Sequence, residues 1–121
     1  MARILVVDDD DQICRFVSRV LETHGHETLT ASSGKDALSA LRDSPCDAML
    51  LDLVMPEKGG IETIMEIRST SPGLPIAVMS GRIIPGDASI TRLVEHYGAI
   101  AVLAKPFTSE ELVAAVDKAL S

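Results

Sequence analysis

Seven side chains in this sequence could do chemistry together. Asp8, Asp9, Asp10 and Asp11 stand in a row, Asp52 closes the apolar run "AMLLD", Ser80 follows "IAVM", and Lys105 follows "AIAVLA". Carboxylates gathered within about 4–6 Å raise one another's pKa unless a cation intervenes. At about 4 Å and an effective dielectric of about 20, each like-charge contact costs about 4 kcal/mol. A hard divalent cation held by oxygen ligands relieves that cost. Mg2+ takes one or two carboxylates and keeps its other positions for water and phosphate oxygens. Lys105 would add a second positive charge, and Ser80 a donor to a phosphoryl oxygen. The set reads as an open magnesium site that awaits a phosphoryl group. Asp52 is its most informative member, because an unpaired carboxylate is costly to bury at the end of an apolar strand.

Each residue alone has a plainer explanation. Asp10 and Asp11 suit the N-cap and first turn of a helix, where acids favour the helix dipole. Asp8 or Asp9 could also cap. Serine often precedes a glycine turn, here Gly81, and lysine is ordinarily a surface residue. His24, His26 and His96 fall near element ends and are expected at the surface rather than as ligands. The weight lies in the joint placement of the polar groups.

That placement follows from the elements. Short apolar or β-branched runs recur as "RILVVD", "ETLTA", "DAMLLD", "PIAVMS" and "AIAVLA". Between them lie helical spacings: Ile13, Phe16, Val17, Val20 and Leu21; Ile90, Leu93, Val94 and Tyr97; Leu112, Val113, Val116 and Leu120. Gly25 and Gly98 stand where C-terminal caps belong, "TSEE" from Thr108 to Glu111 has capping-box spacing, and Pro45, Pro72 and Pro75 fall in connections. The strands expected at 3–8, 48–52 and 76–80 are nearly continuous apolar runs, as in the middle of a parallel sheet covered on both faces. Five strand–helix pairs with right-handed crossovers make a doubly wound α/β sheet, and "HETLTA" suits an edge. In such a sheet the site lies beyond the carboxyl ends of the strands. Asp8 and Asp9, Asp52, Ser80 and Lys105 all fall there.

Composition narrows the function. The 121 residues are 46% hydrophobic and 2% aromatic, so the core of one domain must be aliphatic. A net charge of −7 argues against direct nucleic-acid binding, which needs clustered Lys and Arg. Cys14 and Cys46 form neither a CxxC motif nor a disulfide framework and read as small buried residues of a reducing cytoplasm. No stretch reaches the roughly 18 apolar residues of a membrane span, and "MARILVVDDDD" is no signal peptide. No membrane insertion and a cytoplasmic location are expected.

The pieces "ILVVDDD", "LLDLVMP" followed by Gly60, "AVMSG" and "LAKPF" resemble, in order and spacing, the receiver domains of two-component response regulators, including the single-domain chemotaxis regulator. The resemblance covers the whole chain and makes residues 1–121 a single receiver domain. It implies a flavodoxin-like (βα)5 fold with a five-stranded parallel sheet of order 2-1-3-4-5. It also implies Asp52 as phosphoacceptor, Asp9 as a direct Mg2+ ligand, Asp8 acting through water, and the Val54 backbone carbonyl as a further ligand. Ser80 would be the switch hydroxyl and Lys105 the phosphate-binding lysine, with a cis Lys105–Pro106 bond. The phosphoryl group would come from a sensor histidine kinase or histidine phosphotransfer protein. The surface of the fourth helix, fifth strand and fifth helix would switch and be read by a downstream effector protein.

Three features depart from the family pattern. Val102, three residues before the lysine, occupies a switch position that usually holds an aromatic. Lys58 and Gly59 stand where an apolar residue and an Asp are common, and the segment "GRIIPGDAS" is longer than in compact members and is expected to be mobile. Arg82, two residues past Ser80, sits at a position that tunes dephosphorylation and is expected to cover the site partly. Three other functions fit less well. A Mg2+-dependent phosphohydrolase with an Asp nucleophile would resemble "DxD", but the second position is Val54, and 121 residues leave no cap domain. A flavodoxin-type nucleotide or flavin binder needs phosphate donors after its first strand, where "DDDDQ" stands. A degenerate receiver that only docks would not need all five polar positions. The chemistry expected is self-phosphorylation and autodephosphorylation at Asp52, not metabolic catalysis.

Overall fold

The structure is a computed structural model that describes residues 2–53, 60–81 and 96–121. In chain order they form β1 (Arg3–Val7), α1 (Asp11–Thr23), β2 (Glu27–Ala31), α2 (Gly34–Asp43), β3 (Ala48–Asp52), α3 (Gly60–Thr70), β4 (Ile76–Ser80), β5 (Ala99–Ala104) and α4 (Ser109–Leu120). Val54, Lys58, Gly59, Arg82, the loop expected beyond Gly81, and most of the helix expected over 90–97 lie outside the described residues.

All strand pairs are parallel, and the sheet order is β2-β1-β3-β4-β5. The three most apolar strands, β1, β3 and β4, occupy its middle, and the more polar β2 lies at an edge. Strand alternation sends Ile4, Val6, Leu50 and Met79 to one face, where α1 and α4 cover them. Leu5, Val7, Met49, Leu51 and Val78 point to the other face, where they pack with Ile64 and Ile67 of α3 and Ala37 of α2. Every residue of β3 and β4 is buried, which is what continuous apolar runs require.

The helix signals act as expected. Asp10 is the N-cap of α1, its side chain accepting from the Gln12 N–H, and Asp11 lies in the first turn. Gly25 and Gly98 take φ of 88° and 69°, the left-handed region that glycine enters at least cost. At α4 the Glu111 N–H donates to the Thr108 hydroxyl at 3.1 Å, while the Thr108 N–H donates to the Glu111 carboxylate at 2.9 Å. Thr108→Ala is therefore expected to cost about 1 kcal/mol, read as a drop of a few degrees in Tm by circular dichroism.

Two expectations need correction. On α1, Val17 and Leu21 are buried as expected and Ile13 and Val20 pack against the core, but Phe16 is 41% exposed and Cys14 is buried in its stead. Helical spacing defines a stripe, and the angle at which the helix meets the sheet decides which flank is covered. His26 is half-buried rather than at the surface, and its Nδ1 accepts from the Ala2 N–H at 3.3 Å.

Candidate functional site

The sheet register carries the polar groups to one rim. Val7 pairs with Leu51, Asp52 with Met79, and Ser80 with Ala104. Backbone hydrogen bonds continue one residue past the strands: the Asp8 N–H donates to the Ala31 carbonyl at 3.1 Å, Leu53 to Met79 at 3.0 Å, and Lys105 to Ser80 at 2.9 Å. Asp8, Asp52, Ser80 and Lys105 thus sit on backbone held by the sheet and not on a free loop.

Asp8, Asp52 and Ser80 are 1%, 4% and 3% exposed, while Asp9 faces solvent. Carboxylate oxygens of Asp8, Asp9 and Asp52 lie within 4.8 Å of one another. The Lys105 ammonium reaches into this group, with Nζ 2.6 Å from Asp8 Oδ2 and 3.5 Å from Asp52 Oδ2. The other Asp8 oxygen, Oδ1, accepts from the Asp10 N–H at 2.9 Å. Burial pulls the Lys105 ammonium down, but its hydrogen bond to Asp8 and the charges of Asp52 and Asp8 more than offset that and hold it above the usual lysine range. The ammonium therefore stays charged throughout the neutral range. The Lys105–Pro106 peptide bond is cis.

Three hard oxygen donors against one ammonium leave net negative charge at the rim. That donor chemistry fits an oxygen-preferring divalent cation, with Asp9 on the open side and Asp52 beside it. Below the rim, the Cys14 thiol donates to the Asp8 carbonyl at 3.4 Å. Burial, then the charges of Asp8 and Asp11, push that thiol up to about 11. At neutral pH it is an unreactive packing residue.

The structure brings together Asp8, Asp9, Asp52 and Lys105 as the sequence led one to expect, with Ser80 at the same edge. Val102 lies on β5, half-buried against the α2–α3 side of the core. Sequence reasoning did not find that Asp8 is the nearest partner of Lys105, since 97 positions separate the two. It also missed the contact of Phe107 with Phe16, although Phe107 directly follows the Lys-Pro pair.

A sequence profile of the family described as "Response regulator receiver domain" matches residues 4–117. The chain belongs to that family. As a receiver domain of a two-component response regulator, it has many relatives. The transcriptional regulatory protein CpxR of Klebsiella pneumoniae is 38% identical over 116 residues, 96% of this chain and 48% of the relative. The transcriptional regulatory protein ZraR of Escherichia coli K12 is 35% identical over 98% of this chain and 26% of its own length. The receiver thus spans about half or a quarter of these relatives. Among solved structures, the chemotaxis protein CheY4 of Vibrio cholerae superposes with a TM-score of 0.90 at 30% identity, covering 99% of both chains. A receiver domain protein from Clostridium thermocellum gives 0.86 at 31% identity over 99% of this chain and 94% of that one. Among the described residues no helix is long and apolar enough to cross a membrane.

Proposed function

We propose that this receiver accepts a phosphoryl group on Asp52 from the phosphohistidine of a sensor histidine kinase or a histidine phosphotransfer protein. The observation that carries this is the Lys105 ammonium set between the buried carboxylates of Asp8 and Asp52, with Asp9 beside them. An Asp52 oxygen attacks phosphorus in line; the new O–P bond forms as the P–N bond to the donor histidine breaks. Lys105 draws toward the transferred oxygens and Ser80 donates to one of them. Asp9, Asp52 and the Val54 carbonyl would hold Mg2+ directly, and Asp8 through water. When bound, the ion neutralises charge on the phosphoryl group. Water then cleaves the acyl phosphate, so the signal is transient.

Ser80 also carries the switch. Its carbonyl accepts from the Lys105 N–H, so a shift of Ser80 toward the phosphoryl group is felt directly by β5. The surface of the 90–97 segment, β5 and α4 would change its population of two states and be read by an effector protein. Val102, aliphatic and half-buried, cannot swing as an aromatic would, so this coupling runs through backbone and packing. Arg82 would tune how fast the phosphoryl group is lost. Residues 1–121 would act as one receiver domain in the cytoplasm, without direct nucleic-acid contact, consistent with the net charge of −7.

Incubation with Mg2+ and acetyl phosphate, followed by intact mass measurement, tests this. A single phosphoryl adduct is expected on the wild type, absent in Asp52→Ala and after chelation of the metal. No adduct with either acetyl phosphate or a phosphorylated donor protein would leave only a docking role.

A further inference from the structure

The chain holds two phenylalanines, one tyrosine and no tryptophan, yet its two phenylalanines meet beside the site. Phe16 lies on the outer flank of α1, 41% exposed. Its ring centroid is 6.2 Å from that of Phe107, with the planes tilted by 48°. That separation lies in the contact range of aromatic pairs. Phe107 is half-buried against the core shared by α1 and α4. It follows Lys105 by two residues, in the short connection from β5 to α4.

That connection is held at three points. The Lys105 N–H is tied to the Ser80 carbonyl, the Thr108 capping box starts α4, and Phe107 is clamped between the core and Phe16. The first hold is a backbone bond between β4 and β5, and the second a pair of side-chain-to-backbone bonds within the start of α4, so both are local to the elements they join. The third links the connection to a different element, α1, which starts three residues after Asp8 and whose N-cap residue, Asp10, donates its N–H to the Asp8 carboxylate. We propose that Phe16 is a positioning residue: by covering Phe107 it fixes the 105–108 turn and keeps the Lys105 ammonium over Asp8 and Asp52. This rests on Lys105 acting as the phosphate-binding residue. Loss of the clamp would let the turn fluctuate and the ammonium spend time away from the carboxylates.

Phe16→Ala tests this, because an exposed side chain can be cut without opening the core. Acetyl phosphate serves as donor, since it has no protein surface that could touch Phe16. The side-chain resonances of Lys105 are followed by NMR without metal, assigned by their loss in Lys105→Arg. The variant is expected to take up phosphoryl groups about 2- to 10-fold more slowly, the range an aromatic pair can shift a local equilibrium. Its Lys105 resonances should move toward those of a free lysine. Phe16→Tyr, which keeps the ring, should restore both, while Met65→Ala, an exposed apolar truncation on the opposite side of the sheet, should change neither. Unmoved Lys105 resonances in Phe16→Ala would overturn the proposal, whatever the rate. If the wild type takes up no phosphoryl group, the phosphoacceptor reading fails, and the resonances still decide whether Phe16 positions the ammonium.

Discussion

Lys105→Met is expected to slow phosphorylation of Asp52 by about 100- to 1,000-fold, the range seen when one preorganised charge-stabilising donor is removed. The substitution keeps a long apolar stem and deletes the charge. In the wild type, Nζ lies 2.6 Å from Asp8 and 3.5 Å from Asp52, aimed at the space where phosphoryl oxygens would gather. Without it, two buried carboxylates face each other with no ammonium between them. Removing one partner of a fully buried pair costs roughly 3–5 kcal/mol. Here the loss should be smaller, because the lysine side chain is 20% exposed and a metal ion can take its place.

The same geometry gives the metal an opposite response. Lys105 and a divalent cation would compete for the negative charge of the same carboxylates, so Lys105→Met should bind Mg2+ more tightly by calorimetric titration while reacting more slowly. Lys105→Arg, which keeps the charge, should not gain metal affinity. The raised pKa sets the pH window. The ion pair is fully present below the ordinary lysine value and is lost only as pH rises through the higher folded value, so stability from it is constant across neutral pH. Wild-type phosphorylation rates in Lys105→Met would remove Lys105 from the mechanism.

Leu50→Ala is expected to destabilise the fold by about 2–5 kcal/mol and lower Tm by about 10–25 °C. Leu50 is 1% exposed in β3, with β1 and β4 on either side and α1 and α4 packed over its face. Close-packed neighbours on a five-stranded sheet cannot collapse into the space a leucine leaves. A domain of this size has only about 5–15 kcal/mol of net stability, so one such cavity removes a large share. Asp52 stands two residues further along the same strand and on the same face by alternation. The site and the core thus share one rigid element, and phosphorylation should weaken along with stability near the lowered Tm. A thermal melt decides it: a loss within about 0.5 kcal/mol, as expected for an exposed position such as Met65, would mean the β3 core is looser than its burial implies.

Much of the molecule was legible in sequence because the relevant forces are local and periodic. Continuous apolar runs required strands covered on both faces, and alternation with helical spacings required parallel crossovers. The polar residues that close four of the five runs required a shared rim. Thr108 with Glu111, Gly25 and Gly98 marked their boundaries through backbone chemistry that needs no partner from elsewhere. The motif pieces then narrowed a generic acidic rim to a receiver.

Other features depend on neighbours that sequence cannot place. On β5, Ala99 pairs with Ile76 but Ala101 with Ala77, so Ile100 is an extra residue. Ile100 and Ala101 both pack on the α1–α4 side, which returns Val102 to the α2–α3 side. Strict alternation from Ala99 would have turned Val102 the other way. Phe16 lies exposed because the seating of α1 covers Cys14 instead. Lys105 rests nearest Asp8 because the sheet brings together residues 97 positions apart. From composition and period the sequence by itself determined the elements, the parallel sheet and the polar rim. Tertiary structure alone decided which acid holds the ammonium, which ring covers Phe107 and which face receives Val102. These last depend on register, bulge and helix seating, whose energies arise only once distant segments are in contact.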